Sequence, residues 1–135
     1  MLNKAKELLS EGYTLALVSE HETVTSHARG VHPLLDLFDT GRDFSAFSAA
    51  DKVVGRGAAF LYILLGVREI YAAVISEGAL EVLKDAGVRV TFSTLVPRIL
   101  NRAGDGFCPI ETCVADVCSA DEAVKTIKRT LAELQ

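Results

Sequence analysis

A chain of 135 residues, half of them hydrophobic, is long enough to enclose a core, which excludes disorder as the default reading. A formal net charge of −4 argues against a general nucleic-acid binder, which needs a basic surface, but leaves room for a local basic pocket. The three cysteines, at 108, 113 and 118, leave an odd number and read as reduced thiols.

The amino-terminal MLNKAKELLSEGY scatters charge through an amphipathic segment and lacks the apolar core of a signal peptide. The longest uncharged run, Gly57 to Val67, is too short to span a bilayer. The reading is a soluble, cytoplasmic protein with no membrane contact, folded as one domain over residues 1–135.

Leu2 to Leu9 reads as a helix with Leu2, Ala5, Leu8 and Leu9 on one face, stopped near Gly12. Thr14 to Ser19 and Thr23 to His27 are β-type runs joined by His21-Glu22, which predicts a hairpin. Pro33 opens a short helix through Phe38. Thr40 to Phe47 reads as a loop or helical turn. A buried helix is expected from about Asp51 to Leu65, because Gly57 onward is apolar all round, with Gly66 as its stop. The run REIYAAVIS, a helix over Glu77 to Ala86 and the run RVTFSTL then form a βαβ unit with parallel strands. Ala103 to Gly106 is a turn. Pro109 opens a short helix, and Ser119 with Glu122 forms a capping box for the last helix. The sum is an α/β protein, a three-layer α/β/α sandwich with a mixed sheet.

The chemistry concentrates at the start of the buried helix. If that helix begins at Asp51, Lys52 and Arg56 share a face in its first turns. The helix terminus adds free N–H groups and partial positive charge. Gly55 and Gly57 would let a ligand approach the backbone, or would serve close packing. The stretch is not a dinucleotide fingerprint, since it lacks the third glycine, and no Gly-Lys-Ser/Thr follows to make a P-loop. Asp51 reads as an N-cap, or else as a base or nucleophile. Cys108 before Pro109 sits where a helix terminus lowers a thiol's pKa, with Glu111 in the first turn opposing that effect. Glu77 starts a helix directly after a strand. Arg102, beside Asn101, has the fork that clamps a phosphate or carboxylate. His21, His27 and His32 show no metal-ligand pattern, and neither a metal nor a cofactor is expected.

Arg29-Gly30-Val31 with Pro33-Leu34-Leu35, Asp51-Lys52-Val53-Val54-Gly55, Ile75-Ser76-Glu77, Asn101-Arg102 and Cys108-Pro109 with Glu111 together resemble a small uncharacterised prokaryotic family, a domain of unknown function with a cytidine-deaminase-like fold. The resemblance implies that fold and no established reaction. A zinc deaminase needs a His or Cys and a Glu two residues later on the buried helix, and Pro-Cys-x-x-Cys on the next. Here those places read Gly57-Ala58-Ala59 and Ser76-Glu77-Gly78-Ala79-Leu80. The expectation is a metal-free deaminase-like domain that binds a nucleotide-like or other anionic small molecule, in a sensing or regulatory role. Its pocket is expected to hold Lys52, Gly55, Arg56, Glu77, Asn101, Arg102 and Glu111. One alternative is an enzyme of unknown reaction with Asp51 or Cys108 as nucleophile. Another is a structural protein that assembles through apolar helix faces. Related folds associate through their buried helices, which suggests a homodimer.

Overall fold

The structure is a computed structural model that describes residues 1–100, 106 and 108–134. Its first element is helix α1 (Leu2–Ser10), which ends before Gly12, whose φ of 106° no side-chain-bearing residue adopts comfortably. Strands β1 (Leu15–Val18) and β2 (Thr23–Ser26) form the expected antiparallel hairpin, with Leu15 opposite Ser26 and Val18 opposite Thr23. Helix α2 (His32–Asp39) carries its proline in the first turn.

Strand β3 (Ser48–Val54) follows, and it overturns one expectation. The segment read as the start of the buried helix is the central strand of the sheet. Ala49, Ala50, Asp51 and Lys52 are poor strand formers, so local propensity pointed to a helix. Burial on both faces decides otherwise, because small side chains fit a strand covered on both sides. The buried helix is α3 (Arg56–Leu65), with Gly55 at its N-cap and Gly66 at its C-terminus in the left-handed region, φ 87°. Asp51 is therefore no N-cap. Lys52 and Arg56 share no helix face, because one lies on a strand and the other on the helix that follows.

The remainder matches the expected order. Strand β4 (Glu69–Ser76), helix α4 (Glu77–Asp85) and strand β5 (Arg89–Val96) form a βαβ unit. Buried Ser76 caps α4, its hydroxyl accepting from the Ala79 amide at 3.1 Å. Helix α5 (Pro109–Cys113) is short, and α6 (Ala120–Glu133) is capped by Ser119 accepting from the Glu122 amide.

The five strands run in the order β2-β1-β3-β4-β5. β1 is antiparallel to β2 and β3, while β3, β4 and β5 are parallel, so the sheet is mixed. The presence of β3 adds a second βαβ unit, β3-α3-β4, beside the expected one. The main core lies on one face, where Leu17, Ala49, Val54, Ile70 and Ile75 meet residues of α2, α3, α4 and α6. On the other face Ala5 and Leu9 of α1 pack on Ala16, Val18 and Ala50.

The alternation of buried and open positions slips along β3 and β4. Lys52 and Val53 are both exposed, and the neighbouring Ala73 and Val74 are both half-buried. The register is the same on either side of this level, Asp51 facing Ala72 and Val53 facing Val74, while Lys52 and Ala73 between them are not paired. At the slip, Asp51 Oδ1 accepts from the Val53 amide at 3.2 Å, a bond from a side chain to its own strand two residues on.

Candidate functional site

Three regions carry the expected residues. The first is the N-terminus of α3. Two of its free amides are already taken: Glu111 Oε2 accepts from the Arg56 N–H at 2.5 Å and from the Gly57 N–H at 3.3 Å. A carboxylate there also meets the positive end of the helix. The chain supplies its own anion at the place predicted for a ligand. Gly55 and Gly57 do permit close approach, and what approaches is protein. A Cβ on Gly55 would lie 2.6 Å from Glu111 Cδ, and one on Gly57 would lie 2.7 Å from Ile110 Cγ2.

Arg56 is spent in the same way. Its Nε donates to the Val114 carbonyl at 3.0 Å, Nη2 to that of Val117 at 2.6 Å and Nη1 to that of Gly78 at 3.5 Å. The guanidinium ties the end of α5 and the turn after it to the first turn of α4, and lies 5.2 Å from the Phe60 ring centroid. Glu77 is exposed at the first position of α4, where its charge suits the helix dipole. Cys108 is half-buried at the N-cap of α5 and makes no side-chain capping bond. Asn101 and Arg102 lie outside the described residues.

The zinc of a deaminase would sit between the starts of α3 and α4. The donor set present does not fit it: Gly57, Ala58 and Ala59 offer no ligand atoms, and Arg56 brings a cation to the first turn of α4. Among the described residues, no group of three or more His, Cys, Asp or Glu could hold a metal ion.

The second region is Asp51 beneath α3. The residue is 9 % exposed and faces Tyr62, which donates its hydroxyl to Asp51 Oδ2 at 2.7 Å. Burial pushes the carboxyl up to about 7, and the bonds from Tyr62 and from the Val53 and Lys52 amides pull it part of the way back. Both oxygens have protein donors, and the group is closed off from solvent.

The third region was not foreseen. A groove of about 770 Å³ runs between α1 and strands β3 and β4, on the sheet face opposite α3. Lys6, Lys52, Val53, Tyr71 and Val74 line it, with Glu7 and the polar Asn3 and Ser10 at its side. Among the described residues neither lysine is in an ion pair. Lys6 Nζ lies 4.5 Å from the Tyr71 ring centroid, and the Tyr71 hydroxyl bonds Ser93 on β5. Lys52 therefore does face a cavity, with Lys6 beside it and not Arg56. Lys6 was hidden in the sequence because a lysine on the polar side of an amphipathic helix is ordinarily just solvated. Only the packing of α1 brings it over the sheet.

No helix among the described residues is long and apolar enough to cross a membrane. No curated protein matches this chain. A crystal structure of a DUF1893 family protein, TM1506 from Thermotoga maritima, is similar in fold, with a TM-score of 0.84 at 24% identity, covering 97% of this chain and 87% of that one. The family described as a domain of unknown function (DUF1893) matches residues 3–131, nearly the whole sequence, and this chain belongs to it.

Proposed function

We propose that this protein is a metal-free, cytidine-deaminase-like domain of the cytoplasm that binds a nucleotide-like or other anionic small molecule in the groove beside α1, in a sensing or regulatory role. One observation carries the reading: Lys6 and Lys52, neither in an ion pair among the described residues, line one groove with an aromatic ring and apolar side chains. The volume of about 770 Å³ suits a small-molecule site. The two ammonium groups supply the charge-assisted hydrogen bonds a phosphate or carboxylate needs. Val53, Tyr71 and Val74 give the apolar part of a ligand a surface. Glu7 repels an anion and accepts from a hydroxyl or amino group, which favours a ligand carrying both kinds of group. A binding role is favoured over catalysis because Asp51 is closed off beneath α3.

Calorimetry with adenine and cytosine nucleotides tests this. The unmodified chain is expected to bind at least one of them. The K6A/K52A double variant is expected to lose about 2–4 kcal/mol of binding, allowing for solvent, or roughly 30- to 1,000-fold in Kd. Loss of binding in Arg56→Met with no effect of K6A/K52A would return the site to the mouth of α3. Failure of the unmodified chain to bind any of the nucleotides would leave the structural-partner reading in its place.

A further inference from the structure

The two edges of the sheet are unlike. At one edge, β2 has four residues, and the turn before it is pinned by a bidentate Arg42–Glu22 pair at 2.6 and 3.0 Å. A short edge beside charge is the usual protection against unwanted strand pairing. At the other edge, β5 has eight residues and pairs only with β4. From Val90 to Val96 it has no charged residue and no proline, and the next residue is Pro97. No position along it is fully buried; Phe92 is 40 % exposed and Leu95 is 42 % exposed. Among the described residues, no backbone hydrogen bond reaches its outer side.

We infer that β5 is a self-association edge that pairs antiparallel with β5 of a second copy about a twofold axis. A twofold interface must be self-complementary, and an antiparallel strand pair meets that requirement with its own backbone. The charge pattern selects the occupant. Each copy carries a net charge of −4, yet this edge holds no acidic residue, so two copies meet where their repulsion is least. The one charge on the strand, Arg89, is at its start. Antiparallel pairing about Ser93 separates the two Arg89 side chains by the length of the joint, roughly 26 Å at 3.3 Å per residue, whereas parallel pairing would set them face to face. The buried face of α3, the element expected to mediate association, is enclosed by its own chain and offers no such surface.

The pairing produces a ten-stranded sheet. A twofold axis normal to the sheet keeps both α1 helices on one face, so the two grooves open the same way. Their β4 walls would then lie about 14 Å apart, three strand spacings. This inference stands whether or not the groove binds a ligand.

Sedimentation equilibrium of the full chain, at roughly 10–100 µM, tests the proposal together with amide hydrogen exchange. The expected result is a dimer in which all amides over 91–95 exchange slowly. In the T91K/T94K double variant, a twofold axis at the Ser93 pair sets one lysine of each copy against Leu95 of the other on one face and the second against Phe92 on the other face. That variant is expected to dimerise at least tenfold more weakly, with alternate β5 amides exchanging fast and an unchanged far-ultraviolet spectrum. T23K/T25K on the opposite edge is expected to leave the dimer intact. A monomeric unmodified chain, fast exchange of alternate β5 amides in it, or a T91K/T94K dimer of unchanged affinity would each overturn the proposal. If T91K/T94K fails to fold, exchange in the unmodified chain decides alone.

Discussion

Tyr62, on α3, donates its hydroxyl to Asp51 on the strand that leads into that helix, at 2.7 Å, and neither side chain has solvent to share. Strand and helix are thereby joined across the main core by one polar contact. The contact holds a titratable group whose pKa, at about 7, lies far above the ordinary 3.8. Desolvation is the principal cause.

Stability should therefore fall as pH rises from about 5 to about 8. Up to about pH 7 the native state holds a proton on Asp51 that the unfolded chain has released, and by pH 8 it has released it too. The protonated form's contribution is complete below the unfolded pKa and is lost as pH rises through the folded one. The slope is about 1.4 kcal/mol per unit, and about 2–3 kcal/mol should be lost across the window. Glu22 and Asp43, both with lowered pKa values, are already ionised there and do not reverse the trend. Asp51→Asn should flatten the curve and be more stable than the parent at pH 8, since the amide oxygen still accepts from Val53 and Tyr62 can accept from the amide nitrogen. Urea melts of both proteins at pH 5 and pH 8 check this; parallel curves for the two would contradict it.

Tyr62→Phe keeps the ring and removes the donor. Asp51 Oδ2 then loses its side-chain partner in the core, which should cost about 1–3 kcal/mol. The cost should be larger at pH 8 than at pH 5, because the ionised carboxylate needs the bond more than the neutral acid does. Thermal unfolding at the two pH values reads the difference.

Glu111→Ala removes the acceptor for two amides at the start of α3. The expected loss is about 1–3 kcal/mol, the range for a hydrogen bond to a charged group or a stranded donor. Glu111→Gln should recover part of it, keeping an acceptor without the charge that meets the helix dipole. Chemical denaturation of the pair separates hydrogen bonding from charge. Equal stability of Glu111→Ala and parent would show that water replaces the carboxylate.

Gly57→Ala should destabilise, although alanine is the better helix former. Its Cβ would lie 2.7 Å from Ile110 Cγ2 and 3.3 Å from Ile127 Cδ1, so α5 or α6 has to move. Overpacking of this kind costs about 1–3 kcal/mol. The double variant Gly57→Ala, Ile110→Val should recover part of the loss, and a denaturation series tests whether it does.

The sequence by itself determined most of the element order. The hairpin, the closures at Gly12 and Gly66, the β4-α4-β5 unit and the Ser119 cap were legible because each rests on local rules: periodicity, turn residues and capping. The small-residue segment before Gly55 was not legible. Ala49 and Ala50 form a strand only because helices cover both faces of the sheet there, and that is a tertiary fact. The candidate site divides in the same way. The tight approach at Gly55 and Gly57 could be read from residue type, since only glycine admits a neighbour that close. What approaches could not, because Glu111 and Ile110 are more than fifty residues away in the chain. Charge followed the same logic. Lys52 and Arg56 are four apart in sequence, but a strand-to-helix boundary between them sends Lys52 to the groove with Lys6 and Arg56 to the carbonyls of Gly78, Val114 and Val117. Spacing predicts neighbours only within one element, and where an element begins was decided here by burial.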